Sequence, residues 1–81
     1  MTTTLERLIQ RTADAADDGL SPGVLADARR TLTAALEAHV RGDREAEAAL
    51  LAPLARRISD SWPHTSALGR DVLGYVQAVR H

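Results

Sequence analysis

Apolar residues recur every three or four positions in four stretches of the chain, and a turn signal separates each stretch from the next. Apolar side chains at this spacing line one side of an α-helix, so each stretch is expected to form an amphipathic helix. Fifteen alanines and eleven leucines among the 81 residues strengthen the prediction, since both are strong helix formers. The scattered Ile, Val and Thr residues are too few to build several strands. The sequence therefore predicts an all-α fold.

Turn signals define the first two helices. The first helix is expected over about 4–17, because the Asp-Asp-Gly sequence at 17–19 supplies a glycine for the left-handed turn that ends a helix. The second helix is expected from Ser21-Pro22, where serine caps the helix and proline takes its first position, to about Arg41. Its predicted buried residues are Leu25, Ala28, Leu32, Ala35, Leu36 and either His39 or Val40.

A Gly42-Asp43 turn ends the second helix and caps the third, which is expected over about 44–60. So short a connection makes these two helices antiparallel neighbours. Pro53 lies inside the third helix, where its ring meets the carbonyl of Ala49 and one hydrogen bond is lost, at a cost of about 3 kcal/mol. The helix is therefore expected to bend at Pro53. Its predicted apolar stripe is Leu50, Leu51, Leu54 and Ile58.

The last helix follows a boundary at 59–63 and is capped by Thr65 or Ser66. Because every helix has one apolar stripe to cover, the simplest architecture is an up-and-down four-helix bundle, with 1–81 as a single helical domain. The stripe of the last helix is the most regular in the chain and consists of Leu68, Val72, Tyr75, Val76 and Val79.

Composition excludes several classes of function. Ten basic and eleven acidic residues give a net charge of −1, which argues against a nucleic-acid-binding footprint. The lack of cysteine excludes disulfides, thiolate catalysis and zinc sites built on sulfur. The longest apolar run, 48–53, is too short for a membrane span. The acidic residue Glu6 lies where a signal peptide would need its hydrophobic stretch. A cytoplasmic protein is expected, and the use of arginine in place of lysine indicates a GC-rich bacterial source.

No metal or cofactor site is predicted. His39 and Asp43 are four residues apart, but Gly42 breaks the helix between them, and no Glu-x-x-His pattern supplies further ligands. His39 is instead expected to interact with the dipole at the end of its helix. The segment 14–19 resembles the start of a calcium loop, yet Ala16 stands at a ligand position, so calcium binding is not expected.

The segment 60–66 carries the chain's one tryptophan together with a histidine, an acid and three hydroxyl groups. Neighbouring loop residues cannot converge as a hydrolase triad, and no Gly-x-Ser-x-Gly sequence is present, so catalysis is not predicted. One interpretation is structural, with Trp62 closing an end of the bundle. The other gives Trp62 and His64 a role in partner binding, since tryptophan is enriched among interface anchors.

Two arginine doublets, Arg29-Arg30 and Arg56-Arg57, lie on the second and third helices. Four guanidinium groups on neighbouring helices could bind phosphate or the carboxylates of a partner. Acidic residues such as Glu47 are interspersed among them, however, which favours a solvated charged face with local ion pairs over a nucleic-acid-binding surface.

Two glycines inside the last helix, Gly69 and Gly74, each cost about 1 kcal/mol relative to alanine. Such positions often permit the close approach of another backbone, and we expect one contact within the bundle and one at a dimer seam or ligand pocket. The alanine-rich core is lean, and a domain of this size gains only about 3–5 kcal/mol from one core. The sequence therefore predicts a homodimer that buries Leu73 and Leu51.

The leading functional hypothesis is a small non-catalytic protein–protein interaction module that acts as a regulator, adaptor or accessory subunit. The alternative is a small-ligand-binding or enzymatic helical bundle, and a nucleic-acid binder ranks third. The residues assigned to partner binding are Trp62, His64, Arg56, Arg57, Leu73 and Gly74. The pocket of the alternative would be lined by Trp62, His64, Tyr75 and His39.

Overall fold

A computed structural model describes residues 3–14 and 19–80 of the chain, and within these ranges it contains helices and no strands. The all-α prediction is confirmed. The predicted end of the first helix near residue 17 and most of the calcium-loop-like segment lie outside the described residues. The four helices are α1 (Thr4–Asp14), α2 (Pro22–Val40), α3 (Arg44–Ser61) and α4 (Ala67–Arg80).

The turn between α2 and α3 is a Schellman motif. Gly42 has a φ of 76°, its N–H donates to the carbonyl of His39, and the N–H of Asp43 donates to the carbonyl of Ala38. These bonds satisfy the last carbonyls of α2, and glycine adopts the left-handed backbone conformation without steric cost. The predicted boundary between the two helices is therefore correct to within a residue.

Capping side chains begin each helix. The Thr3 hydroxyl accepts the N–H of Glu6 at 3.1 Å, and the Glu6 carboxylate accepts the N–H of Thr3 at 3.4 Å, a reciprocal capping box. The Thr-x-x-Glu spacing at 3–6 is the sequence signature of such a box, which the periodicity of apolar residues does not reveal. The caps of the other helices, all predicted, are Ser21, Asp43 and, of the two candidates for α4, Ser66.

Helix α3 continues through Pro53 without a break. Pro53 and Ala49 are both exposed, so the carbonyl that loses its hydrogen bond lies on the solvent side of the helix, where water can hydrate it. This placement lowers the cost of a proline inside the helix. The bend at Pro53 remains a prediction.

The helices pack in sequence order, α1 on α2, α2 on α3 and α3 on α4, and α1 also packs on α4. None of the helices in the described ranges is both long and apolar enough to cross a membrane. The buried apolar residues form one core, which consists of Leu5, Leu8, Leu20, Ala28, Leu32, Ala35, Leu51, Leu54, Ile58, Trp62, Leu68, Val72 and Val76.

Several predicted core or surface positions differ in the structure. His39 and Val40 are exposed, Val40 by 78%, because Ala38 turns toward the core at the end of α2. Leu50 is also exposed, since it lies beside the stripe that α3 buries. Leu51 is fully buried, at 0% exposure, so its assignment to a dimer surface is wrong.

Candidate functional site

Glu47 is a buried carboxylate, 1% exposed, although the sequence analysis placed it on a solvated face. Its burial follows from helix geometry. Glu47, Leu51, Leu54 and Ile58 are spaced by four, three and four residues, so all lie on the side of α3 that faces the core. The spacing was visible in the sequence, but acidic residues are seldom fully buried, and this general rule led to the wrong placement.

Two side chains from other helices bind the Glu47 carboxylate. The Tyr75 hydroxyl of α4 donates a hydrogen bond to Oε2, and Nδ1 of His39 on α2 lies 3.2 Å from Oε1. An isolated buried carboxylate is strongly destabilising, whereas a carboxylate with two partners is tolerated. We call His39, Glu47 and Tyr75 the Glu47 cluster. It joins α2, α3 and α4 through polar contacts.

Electrostatics within the cluster keeps the Tyr75 phenol protonated. Burial raises the pKa of Tyr75 well above its ordinary value, and the hydrogen bond to Glu47 and the Glu47 charge raise it further. The positive charge of Arg44 acts in the opposite direction. Tyr75 is therefore a hydrogen-bond donor at neutral pH, and Arg44 lies close enough to influence it.

The Glu47 cluster opens onto a recess of about 470 Å³. The His39 side chain is 47% exposed, so its second ring nitrogen, Nε2, is left for water or a ligand. Arg44 lines the same recess, and no side chain that the structure describes forms an ion pair with its guanidinium group. The apolar wall of the recess is formed by Ala78 and Val79.

The other end of α3 is apolar. Trp62 is 7% exposed and belongs to the core, as the structural interpretation of this residue predicted. A Cβ atom on Gly69 would lie 3.0 Å from Cε3 of Trp62 and 3.3 Å from Cγ2 of Ile58, so Gly69 lets α4 approach this indole closely. This is the contact within the bundle that the sequence predicted for one of the two glycines.

The structure does not bring the four residues of the alternative pocket together. Trp62 and His64 line a recess of about 320 Å³ beside Leu73. Tyr75 and His39 lie instead at the Glu47 cluster, near the opposite end of α3. Two small sites therefore stand in place of the one expected pocket.

The arginine doublets do not form one basic cluster. Nη2 of Arg57 lies 2.9 Å from Oδ2 of Asp27, an ion pair between partly exposed side chains. Such a pair contributes little to stability and matches the expected solvated face. Arg29 and Arg30 instead line a groove between α1 and α2.

Leu73 and Gly74 lie on the outer part of α4. Leu73 is half-buried and Gly74 is exposed, and a Cβ atom on Gly74 would meet no other atom within 4 Å. No close contact in the described part of the chain therefore accounts for this glycine. The predicted contact at a dimer seam or ligand pocket stays a prediction.

A groove of about 910 Å³ runs between α1 and α2. It follows α2 from Pro22 to Glu37, about 22 Å at 1.5 Å per residue. Arg29 and Arg30 lie at the middle of this length. Alanines contribute small side chains to its lining, and the groove was not predicted because it depends on how the two helices pack. Its apolar lining includes Leu20, Leu25, Ala26 and Ala34.

The chain matches no protein-family model, no curated protein and no solved structure. Within the described ranges, no three His, Asp or Glu side chains converge as a metal site. The features of the described residues that bear on function are the groove between α1 and α2 and the recess at the Glu47 cluster.

Proposed function

We propose that the chain is a small non-catalytic interaction module of the bacterial cytoplasm that acts as a regulator, adaptor or accessory subunit. In this proposal residues 1–81 form a single domain, an up-and-down four-helix bundle that bends at Pro53. The observation that supports the proposal is the groove between α1 and α2. Its occupant is an amphipathic helix of another protein with Asp or Glu residues beside its apolar stripe.

The shape of the groove favours a helical occupant. A length of about 22 Å corresponds to roughly four turns of helix, which is a common size for a segment that docks by its apolar face. Alanines in the lining allow the backbone of a docked helix to come close, and the larger side chains of Leu20 and Leu25 provide apolar contact area.

Charge selects the partner. Arg29 and Arg30 lie halfway between Pro22 and Glu37, and both are exposed. If two copies of the chain packed through this groove about a two-fold axis, each arginine pair would face its own copy, and like charges would oppose the contact. A partner with acidic residues at this position would instead form charge-assisted hydrogen bonds with the guanidinium groups.

Self-association is proposed on a different surface, the outer part of α4 at Leu73 and Gly74. A second copy could approach Gly74 closely because this position has no side chain. The exposed side chains of His64, Arg56 and Arg57 remain proposed partner contacts. Trp62 is buried, so its proposed contribution is to hold the surface that contains His64 in place.

A synthetic amphipathic helix with glutamates flanking its apolar stripe tests the groove, with a lysine version of the same peptide for comparison. We expect the glutamate peptide to bind wild type and to bind the double variant Arg29→Glu/Arg30→Glu at least about tenfold more weakly. The lysine peptide is expected to show the reverse preference. Anisotropy of a labelled peptide measures both affinities.

The matched control is Arg7→Glu/Arg41→Glu, which makes the same change in net charge at two exposed positions outside the groove. We expect this variant to bind the glutamate peptide within about twofold of wild type. The change in net charge weakens the long-range attraction to the acidic peptide, and salt screens this general effect. If reversal of the Arg29 and Arg30 charges changed the affinity no more than the control does, the groove would not be the docking site.

Small-molecule binding is the second candidate function. The observation that favours it is the recess at the Glu47 cluster, where an oriented imidazole and a guanidinium group without an ion-pair partner in the described ranges face the same space. Convergent polar groups beside an apolar wall are typical of ligand sites.

A further inference from the structure

We propose that the recess at the Glu47 cluster binds a small organic acid. The ligand carboxylate lies between Arg44 and His39, and its apolar part lies against Ala78 and Val79. This inference rests on the second candidate function and names the class of ligand. It assigns no chemical reaction to the site.

The Glu47 carboxylate determines which atom of His39 is free to bind a ligand. Oε1 of Glu47 is paired with Nδ1 of His39, and Oε2 accepts the hydrogen bond from Tyr75. With Nδ1 held by the buried carboxylate, Nε2 is the atom of the ring left to meet a ligand. In the protonated ring Nε2 carries a hydrogen and donates, which suits an anionic acceptor.

Within the described part of the chain, the recess has one positively charged side chain to be matched. Both Glu47 oxygens have partners, in Nδ1 of His39 and the Tyr75 hydroxyl, and the charge of Arg44 remains. One carboxylate on the ligand balances it, and the planar guanidinium group suits a carboxylate because it can form two parallel hydrogen bonds. A cationic ligand would meet Arg44 and be repelled.

The apolar wall distinguishes an organic acid from an inorganic anion. Ala78 and Val79 lie on the last turn of α4 and line the recess together with the charged residues. A volume of about 470 Å³ is larger than an inorganic anion needs and is ample for a carboxylate with a short hydrocarbon chain. Burial of that chain adds roughly 0.8 kcal/mol for each CH₂ group that leaves water.

Three probes in backbone amide NMR titrations test the proposal: hexanoate, hexan-1-ol and inorganic phosphate. We expect hexanoate to cause saturable shifts at Gly42, Arg44 and Val79, and the other two probes to bind at least about tenfold more weakly, because each lacks one of the two features that the site recognises. The variant Arg44→Gln is expected to weaken hexanoate binding about tenfold. Arg44 is exposed, so the variant retains the fold.

Arg41→Gln is the matched control, since Arg41 is a nearby exposed arginine that does not line the recess. Its affinity for hexanoate is expected to equal that of wild type. Equal binding of hexan-1-ol, stronger binding of phosphate, or an Arg44→Gln variant with wild-type affinity would overturn the organic-acid class and leave small-molecule binding standing. If no probe and no wider set of neutral or cationic fragments shifted these amides, the second candidate function would fail as well.

Discussion

The two ends of α3 hold their neighbours by different means. At the C-terminal end Trp62 packs against the α4 backbone at Gly69, and the contact is apolar. About 22 Å away, at the N-terminal end, Glu47 binds Tyr75 and His39 through polar atoms. The apolar end needs complementary shape and leaves little of the indole exposed. The polar end needs specific partners and leaves the imidazole half-open to solvent.

This difference separates residues suited to a structural role from residues suited to recognition. A lone tryptophan in a predicted loop indicated a possible binding role for the Trp62 end. In the structure this side chain is buried in the core. The Glu47 end has no such local signature, since Tyr75 is 28 positions from Glu47. Side chains that are oriented by a buried partner and remain exposed on their other side are suited to recognition.

The Trp62→Ala variant is expected to have the largest effect on stability. Loss of a buried aromatic side chain typically costs about 3–5 kcal/mol, which is comparable to the whole stability of a small domain. We therefore expect the variant to lose most of its helical circular dichroism at 25 °C. Trp62→Phe, which keeps an aromatic ring in the site, is the control and should remain folded with a reduced melting temperature. A Trp62→Ala variant as stable as wild type would show that this end is not part of the core.

Removal of the carboxylate at the polar end comes next. Glu47→Ala leaves the Tyr75 hydroxyl without its acceptor and creates a cavity, and we expect a loss of about 2–3 kcal/mol in the free energy of unfolding. Glu47→Gln keeps the shape and one acceptor oxygen, so its loss should be about 1 kcal/mol. Urea unfolding measures both variants. Equal losses for alanine and glutamine would mean that shape, and not hydrogen bonding, holds this end together.

The two glycines of α4 provide a matched pair. Gly69→Ala places a methyl group against Trp62, and overpacking outweighs the gain in helix propensity, for a net loss of roughly 1 kcal/mol. Gly74→Ala places its methyl group in open space and should raise stability by up to about 1 kcal/mol. Chemical denaturation at protein concentrations too low for dimerisation measures the sign of the stability change in both variants. Stabilisation by Gly69→Ala would contradict the close packing at Trp62.

The proposed self-association can be tested with the same Gly74→Ala variant. Light scattering coupled to size-exclusion chromatography at micromolar concentration is expected to show a dimer for wild type and weaker association for the variant. A monomeric wild type would remove the dimer from the proposal.

The smallest expected effect on stability concerns the cap of α4, beside Trp62. Ser66 accepts the N–H of Gly69 at 3.0 Å, whereas Thr65 is exposed. Ser66→Ala should therefore cost about 1 kcal/mol, and Thr65→Ala should be close to neutral. Thermal unfolding of the two variants side by side measures the difference. A larger loss for Thr65→Ala would assign the cap to the other candidate residue.

The sequence predicted local features better than contacts between helices. The helix boundaries at Ser21 and Gly42 follow from interactions within a few residues, which composition and spacing reveal. The burial of Glu47 depends on which partners the other helices bring, and the pairing with Tyr75 spans 28 positions. The groove between α1 and α2 likewise depends on how two helices pack. Such contacts require the tertiary structure.

Titration of the one tyrosine gives a direct measure of the buried Glu47 cluster. The chain has no lysine and no cysteine, so Tyr75 is the one side chain whose ordinary pKa lies between about 9 and 12. Because the pKa of Tyr75 is raised in the folded state, its contribution to stability is present below the ordinary tyrosine pKa of about 10 and is lost as the pH rises above it.

Ultraviolet absorbance of the phenolate, followed together with circular dichroism, makes this measurement. We expect phenolate to form only well above the ordinary tyrosine range or together with unfolding, and Glu47→Gln to move the titration back toward that range because the negative charge is gone. If Tyr75 in the folded wild-type protein titrated at the ordinary value, its hydroxyl would be hydrated, and the Glu47 cluster would not exist as described.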